Sequence, residues 1–194
     1  SRRRICTKKW ITSNTKPASL MTIKWGFLGA SWVASTALVP AVADSKNASL
    51  YAVASRDPER SQKLNPTKVH ASYEDLISDP EIDAVYISLA NHLHLEWATK
   101  ALNAGKHVLC EKPIALNADE AAQLREVAGN VHIMEAFMVR FHPQWLRTRE
   151  LVQSGALGDL RAVQVWFSYF NRNANNIRND ASKGGGALMD IGCY

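Results

Sequence analysis

Two patterns of apolar residues alternate along most of the chain. Short, nearly continuous apolar runs, typical of buried strands, are each followed by apolar residues at helical spacing. Strands are predicted at 22–28, 49–55, 67–70, 84–89, 107–110 and 131–138. Helices are predicted at 33–42, 58–64, 73–76, 94–102, 118–128 and 143–154. Because strands and helices alternate, the pattern predicts an α/β fold with a doubly wound parallel sheet and right-handed crossovers.

The pattern changes near residue 140, where we place a domain boundary. Residues 160–170 alternate between two faces, and one face carries Val163, Val165, Phe167 and Tyr169. Such alternation predicts a strand of a separate antiparallel sheet, with these four side chains in its core. The expected organisation is a leader at 1–20, a parallel α/β domain at 21–140, and the beginning of a second α/β domain with an open sheet at 141–194.

The net charge of +5 arises from the first twenty residues. They contain six Lys and Arg residues and no Asp or Glu, which leaves 17 basic and 18 acidic residues in the remainder. A basic tail can bind nucleic acid or a membrane, or act as a targeting peptide, but this one lacks an apolar signal core. We therefore expect a non-structural leader, and neither nucleic acid nor a membrane as a partner.

The cysteines bear on the compartment and on metal binding. Cys6, Cys110 and Cys193 are odd in number and lack the spacing of metal ligands, which argues against a disulfide framework and a zinc site. The pair His92 and His94 has no third ligand nearby in the sequence, so it does not indicate a metal either. The sequence predicts a cytoplasmic protein without a metal site.

A glycine follows the first predicted strand, where the chain turns into the first helix. Gly29 takes the position at which dinucleotide-binding turns need a glycine, so that backbone N–H groups approach the pyrophosphate. Ser31 replaces the second glycine of that fingerprint, and the small Ala34 takes the third position. An ordinary tight turn between strand and helix is the alternative. The residues expected to surround the cofactor here are Gly29, Ala30, Ser31, Trp32 and Val33.

The second predicted strand ends in Ser55, Arg56 and Asp57. An acid at such a strand end accepts hydrogen bonds from the adenosine 2′-hydroxyl and repels a 2′-phosphate, whereas an arginine does the reverse. Ser55 stands where an acid would favour NAD, and Arg56 follows it. The pattern favours NADP as the cofactor, with NAD possible. Asp57 leaves the alternative open, since it can also cap the helix that begins at Pro58.

Residues 106–113, Lys-His-Val-Leu-Cys-Glu-Lys-Pro, end a buried strand in charged side chains. The carboxyl ends of parallel strands face the ligand crevice in an open α/β sheet. Pro113 restricts the backbone of Lys112 to extended conformations. Lys112 is therefore placed for chemistry, and a solvated turn is the alternative.

Four motifs together resemble the Gfo/Idh/MocA oxidoreductase family, over residues 22–194. They are the turn at Gly29, Ala-Asn-His-Leu-His at 90–94, the run ending in Glu-Lys-Pro at 105–113, and Gly-Gly-Gly-Ala-Leu-Met-Asp-Ile-Gly-Cys-Tyr at 184–194. The chain is most similar to the branch of NADP-dependent sugar and dihydrodiol dehydrogenases. The resemblance implies a Rossmann domain for the cofactor, and a second domain for substrate binding and homo-oligomer contacts.

The resemblance also implies roles for individual residues. Lys112 would contact substrate beside the nicotinamide, and its bond to Pro113 is expected to be cis. Asp190 would orient a substrate hydroxyl. Tyr194 would be the acid or base, with the Lys112 ammonium lowering its pKa.

Further residues are expected at the cofactor. Asn91, His94, Glu111 and Lys112 complete the predicted cofactor contacts, although Asn91 and His94 could instead cap and pack the helix that they open.

The implied reaction is hydride transfer between NADP and a carbinol of a sugar, such as xylose or glucose, or of a trans-dihydrodiol. The family's second domain continues past the position of Tyr194, so we expect little or no turnover from these residues alone. The alternatives are a non-catalytic NADP-binding sensor that binds a protein partner, or an inactive fragment of the enzyme.

Overall fold

A computed structural model describes residues 21–173 and 175–194. Within this range the strands are β1 (Ile23–Leu28), β2 (Ala48–Ala54), β3 (Lys68–His70), β4 (Ala84–Ile87), β5 (His107–Glu111) and β6 (Ile133–Ala136). They form one parallel sheet in the order β3–β2–β1–β4–β5–β6. The predicted doubly wound α/β fold is confirmed. The predicted leader at 1–20, with Cys6, lies outside the described residues.

Both faces of the sheet are covered, which explains the continuous apolar runs in the sequence. Leu28 and Ile87 point into one buried cluster, and their neighbours Phe27 and Tyr86 point into the other. The rings of Phe27 and Tyr86 meet edge to face, with centroids 4.9 Å apart. Successive residues of one strand thus pack on opposite helical layers, as a strand buried on both faces requires.

The α-helices are α1 (Val39–Asp44), α2 (Pro58–Gln62), α3 (Tyr73–Ser78), α4 (His94–Asn103), α5 (Ala118–Ala128) and α6 (Pro143–Gln153). Side chains that the sequence marks as caps begin three of them. Asp57 accepts from two backbone N–H groups of α2, Ser72 caps α3, and Asn117 caps α5. Such a cap stabilises a helix by about 1 kcal/mol. No helix among the described residues has the length and apolarity needed to cross a membrane.

The helix predicted at 33–42 is divided. A widened helical turn of the π type covers Ala34–Leu38, and only then does α1 begin. The change falls just before Pro40, which has no N–H to donate and whose ring disfavours a regular preceding turn.

The strand predicted at 160–170 is not formed. Among the described residues no strand pairs with this stretch, and a strand needs a neighbour to satisfy its backbone groups. The apolar stripe predicted as sheet core is therefore exposed, with Val163, Val165, Phe167 and Tyr169 between 52% and 73% accessible. We call residues 23–136 the sheet region and residues 155–194 the C-terminal segment. In the latter, short helical turns lie at Ile177–Asn179, Ala181–Lys183 and Leu188–Gly192.

Candidate active site

The carboxyl ends of β1, β4 and β5 lie side by side, because these three strands are neighbours in the sheet. The glycine turn follows β1, the loop with Asn91 follows β4, and Lys112 follows β5. The topology thus brings three of the sequence motifs to one edge of the sheet, as a parallel α/β fold requires of a ligand site.

Gly29 adopts a backbone conformation that other residues rarely take, with φ of +93°. A Cβ atom at this position would lie 3.0 Å from the backbone oxygen of Ser88 and 3.0 Å from its Oγ. The Gly29 N–H donates to Ala54 O at 2.8 Å, which ties the turn to β2. Ser31 Oγ accepts from the N–H of Ala34 at 3.0 Å and so opens the following helical turn. A glycine is therefore needed for this tight turn beside Ser88, and the first glycine of dinucleotide-binding turns has the same role.

The other predicted residues of this turn differ in accessibility. Ala30 is buried, Ser31 and Val33 are half-buried, and Trp32 is exposed on the surface. A residue that the sequence interpretation did not include reaches the same turn. Arg60, on α2, donates from Nη2 to Ala30 O at 2.5 Å. The sequence spacing could have indicated Arg60. It lies four residues after Arg56, on the helix α2 that begins shortly after β2.

The carboxylate that follows β2 caps a helix. Asp57 Oδ1 accepts from the backbone of Glu59 at 3.0 Å, so the capping alternative is confirmed. Ser55 Oγ donates to Asp57 O at 2.6 Å and lies 2.8 Å from Ser61 Oγ. Arg56 is exposed and makes none of the side-chain hydrogen bonds found among the described residues. The Arg56 guanidinium is therefore available to a ligand at this strand end.

Asn91 and His94 hold loops together. Asn91 Nδ2 donates to Gly184 O at 2.8 Å, which links the loop after β4 to the C-terminal segment. His94 is fully buried, with Nδ1 2.6 Å from Pro113 O and Nε2 3.1 Å from Leu89 O. Burial lowers the pKa of His94, although the two carbonyl contacts act in the opposite direction. These contacts are those of a side chain that positions the ends of β4 and β5.

Glu111 holds the carboxyl end of β5 in place through hydrogen bonds. Its Oε1 accepts from the hydroxyl of buried Tyr86 at 2.7 Å, and its Oε2 accepts from the Lys112 N–H at 3.3 Å. Burial, together with the Glu111 carboxylate, raises the pKa of Tyr86 far above its usual range. The bond from Lys112 to Pro113 is cis, as the resemblance implied. Glu111 therefore connects the core of the sheet to the lysine.

Lys112 meets Asp190 across the gap between the sheet region and the C-terminal segment. Lys112 Nζ lies 3.2 Å from Asp190 Oδ1 and also donates to the Asp190 backbone oxygen. Both side chains are 16% exposed. Two residues that were not predicted at the site complete the surroundings of Asp190. Tyr169, which was expected in a sheet core, donates from O–H to Oδ2 at 2.9 Å, and Arg178 donates from Nε to Oδ1 at 3.1 Å. Tyr169 and Arg178 are 21 and 12 residues from Asp190 in the sequence, so no helical or strand spacing predicts that they meet it.

These contacts determine the charge of Asp190. Burial opposes its ionisation, but the Tyr169 hydrogen bond and the Lys112 and Arg178 cations outweigh burial and hold the pKa of the carboxyl below its ordinary value. Asp190 is therefore an anion at neutral pH.

Tyr194 lies beside the same lysine. Lys112 Nζ stands over its ring, 5.1 Å from the centroid, and the Phe137 ring packs at 4.8 Å. The expectation that Lys112 lowers the pKa of Tyr194 is wrong. Burial and the carboxylates of Glu111, Asp190 and Glu135 raise it, because the lysine faces the ring and is itself paired with Asp190. Tyr194 therefore keeps its proton at neutral pH.

Two open cavities flank this cluster. One, of about 220 Å³, is lined by Asp190, Arg178, Asn171, Ser168 and residues of the glycine-rich stretch. The other, of about 480 Å³, lies on the far side of Tyr194 and includes Arg140, Trp145 and Arg149. Among the described residues no group of three metal-binding side chains occurs. The site thus offers a lysine, a carboxylate and a phenol next to a cavity of the size of a small polar molecule.

Comparison with known proteins places this geometry among oxidoreductases. Residues 23–139 match an oxidoreductase family described by its NAD-binding Rossmann fold, and residues 145–194 match the GFO/IDH/MocA C-terminal domain. The chain is 41% identical over 177 residues to a D-xylose 1-dehydrogenase (NADP(+)) of Haloferax volcanii, covering 88% of this chain and 54% of that protein. It is 35% identical over 187 residues to a trans-1,2-dihydrobenzene-1,2-diol dehydrogenase of Xenopus tropicalis, covering 90% and 54% respectively.

A solved structure shows the same fold. The 3-ketoreductase of Actinomadura kijaniata, crystallised with NADP and TDP-benzene, superposes with a TM-score of 0.82 at 34% identity, covering 89% of this chain and 55% of that one. The chain therefore spans about half the length of the relatives it matches.

Proposed function

The chain belongs to the Gfo/Idh/MocA oxidoreductase family, and on that premise we propose that it carries the cofactor site and the proton-transfer residues of an NADP-dependent dehydrogenase or reductase. The reaction would interconvert a carbinol and a carbonyl of a sugar or cyclic diol. The observation that carries the proposal is the meeting of Lys112, Asp190 and Tyr194 at the tip of β5, on the sheet edge that also holds the Gly29 turn.

The residues present fit a dinucleotide. The turn at Gly29 has the positive φ and the close backbone packing of a dinucleotide-binding turn, and a helical turn starts directly after it. Gly29, Ala30, Ser31, Trp32 and Val33 would surround the pyrophosphate, and Asn91, His94 and Glu111 would hold the nicotinamide end, directly or by positioning the loops. These assignments rest on the placement of each residue at one sheet edge.

The preference for NADP follows from the charges at the end of β2. The Asp57 carboxylate is engaged as a helix cap, so we do not assign it to the ribose 2′-hydroxyl. Ser55, Arg56 and Arg60 provide hydroxyl and guanidinium groups in its place. We propose that Arg56 and Arg60 face the adenosine phosphate, since guanidinium groups bind phosphate oxygens in pairs.

When bound, the cofactor would supply or accept the hydride. Lys112 Nζ would donate a hydrogen bond to the reacting oxygen of the substrate, and Asp190 would hold the lysine in place. Tyr194 carries its proton at neutral pH because burial and neighbouring carboxylates raise its pKa. A protonated phenol is suited to giving its proton to an oxygen that becomes negative, so the reduction of a carbonyl to a carbinol is the favoured direction.

We propose further that the protein is cytoplasmic, that its substrate is a small molecule, and that it forms a homo-oligomer. The apolar side chains between Leu160 and Phe170 support an assembly, because an exposed apolar surface of this kind is uncommon in a monomer. The near balance of acidic and basic residues after residue 20 gives no support to a nucleic-acid partner.

Cofactor titration followed by turnover tests the proposal. NADPH and NADH are titrated into this chain by fluorescence, and turnover is measured with D-xylose, a trans-dihydrodiol and a TDP-linked ketosugar. The same assays use a chimera that continues after Tyr194 with the remainder of the D-xylose dehydrogenase relative. We expect tighter binding of NADPH than of NADH by both proteins, and turnover chiefly by the chimera.

A lysine variant with a matched control separates catalysis from binding. Lys112→Met should lower turnover by roughly 10²–10⁴-fold while changing NADPH affinity far less. Lys46→Met, at an exposed lysine on the opposite edge of the sheet, should change neither. NADPH binding without turnover in every form would favour the non-catalytic sensor, and the absence of NADPH binding would overturn the nucleotide site.

A further inference from the structure

The carboxylate of Asp190 is held by three side chains from different parts of the chain. Oδ1 accepts from Lys112 Nζ at 3.2 Å and from Arg178 Nε at 3.1 Å, while Oδ2 accepts from Tyr169 O–H at 2.9 Å. Two cations therefore share one anion. If Lys112 were the only cation at Asp190, the carboxylate would attract its ammonium more strongly. The ammonium would then be less available to donate a hydrogen bond to another oxygen.

Arg178 is brought to Asp190 by the local backbone. It lies in the short helix Ile177–Asn179, where Asn176 Oδ1 accepts from the Arg178 N–H at 3.0 Å. The Arg178 oxygen then accepts from the N–H of Gly186 at 3.0 Å. These bonds lock the backbone on both sides of the guanidinium-bearing residue.

The glycine-rich stretch has a physical reason in this packing. A Cβ on Gly185 would lie 2.5 Å from Ile177 O and 2.7 Å from Arg178 O, so only glycine allows the two segments to approach this closely. Asp190 lies in the helical turn that follows this stretch, and its N–H donates to Gly186 O at 3.1 Å. The same few residues thus fix the backbone of Arg178 and the backbone of Asp190 relative to each other.

We propose that Arg178 is a positioning residue for the reaction, which it serves by sharing the Asp190 carboxylate and so leaving Lys112 free to donate to the reacting oxygen. The inference rests on the proposed function. Within the described residues the Nη atoms of Arg178 make no hydrogen bond, and the side chain lines the 220 Å³ cavity. The guanidinium therefore stands beside the space that a substrate would occupy.

The first test needs neither cofactor nor substrate. The chain is labelled with ¹³C at the aspartate carboxyl carbons, the Asp190 signal is assigned by its loss in Asp190→Asn, and it is titrated by NMR. Because the Arg178 cation favours the ionised form, Arg178→Gln should raise the pKa of Asp190, and Arg178→Lys should restore most of the shift. Arg172→Gln, a matched variant that stands at the Phe170 ring, should leave it unchanged.

The second test uses whichever form, this chain or the chimera, turns over substrate. Arg178→Gln should lower kcat by roughly 10–100-fold with little change in KM or NADPH affinity, as expected when an orienting group is lost. The activity depends on ionised Asp190, so its acid limb should move to higher pH in Arg178→Gln and return in Arg178→Lys. Arg172→Gln should have the wild-type profile.

The possible outcomes separate this inference from the proposed function. If Asp190→Asn and Lys112→Met keep full turnover, the proposed function itself is wrong. If those two variants lose turnover while Arg178→Gln matches Arg172→Gln in kcat and in its pH profile, only the positioning role is refuted. If Arg178→Gln loses NADPH affinity or its thermal transition in parallel with kcat, its effect is general unfolding, and the role is equally refuted unless folded Arg178→Lys returns kcat and the acid limb to their wild-type values.

Discussion

Different interactions stabilise the sheet region and the C-terminal segment. In the sheet region, side chains such as Leu28, Val85 and Ile87 are completely buried in a cluster that helices cover. In the C-terminal segment, Val165 and Phe167 are 63% and 68% exposed, and the chain is organised by hydrogen bonds and short helical turns. The cofactor half is thus stabilised by burial, whereas the half that supplies Asp190 and Tyr194 depends on polar links.

Several contacts connect the two regions near the candidate site. They include the Asn91 side chain to the Gly184 oxygen, Lys112 to Asp190, and Lys112 to the ring of Tyr194. A constellation that spans two such regions can lose its geometry while the cofactor half stays folded. The difference teaches that the proposed nucleotide site and the cluster of Lys112, Asp190 and Tyr194 can be tested separately.

The largest expected effect compares a buried with an exposed aliphatic side chain. Ile87→Ala should lower the free energy of unfolding of the sheet region by about 2–5 kcal/mol, because it leaves a cavity in a closed core. Val165→Ala should change it by less than about 0.5 kcal/mol, since this side chain is mostly exposed. Urea unfolding followed by circular dichroism measures both. Equal costs at the two positions would show that the C-terminal segment is packed like a core.

A smaller effect distinguishes the nucleotide turn from an ordinary helix end. Gly29→Ala should destabilise the fold by about 1–3 kcal/mol, since the residue is strained at positive φ and its methyl group would meet Ser88. Gly105→Ala has a similar φ of +75° but open space around its Cβ, so it should show the backbone strain alone. NADPH titration should weaken only in Gly29→Ala. Equal loss of affinity in both variants would remove the turn from the cofactor site.

The smallest effect is a dependence of stability on pH within the sheet region. Asp79 accepts from Lys68 Nζ at 2.8 Å and lies 3.0 Å from His70 Nε2. The hydrogen bond from Lys68 is the main reason that the pKa of Asp79 falls from 3.8 to about 2, against the opposing effect of burial. A depressed pKa means that the stabilisation is present above about pH 4 and is lost as the pH falls toward 2.

Urea unfolding at pH 6 and pH 3 tests this expectation. Asp79→Asn should reduce the difference in unfolding free energy between the two pH values relative to wild type. Asp44→Asn, at an exposed carboxyl at the end of α1, should retain the wild-type difference. A wild-type difference in Asp79→Asn as well would mean that other carboxylates account for the acid sensitivity.

Particular residues show where sequence patterns suffice. Asp57, Ser72 and Asn117 are residue types that favour helix caps, and their function depends only on N–H groups two or three residues away. The order of strands and helices followed from apolar periodicity in the same local way. The strand expected at 160–170 was wrong because alternation records a preference for a sheet and does not supply the neighbouring strand.

The sequence by itself determined the parallel α/β fold, the glycine turn and the lysine at the tip of β5, since each depends on local backbone preference and burial. Only the tertiary structure decided what surrounds Asp190. Arg178 and Tyr169 reach it from 12 and 21 residues away, and Lys112 from 78. Such contacts depend on how separate segments pack, as does the electrostatic environment that raises the pKa of Tyr194 where the sequence had suggested a lower one.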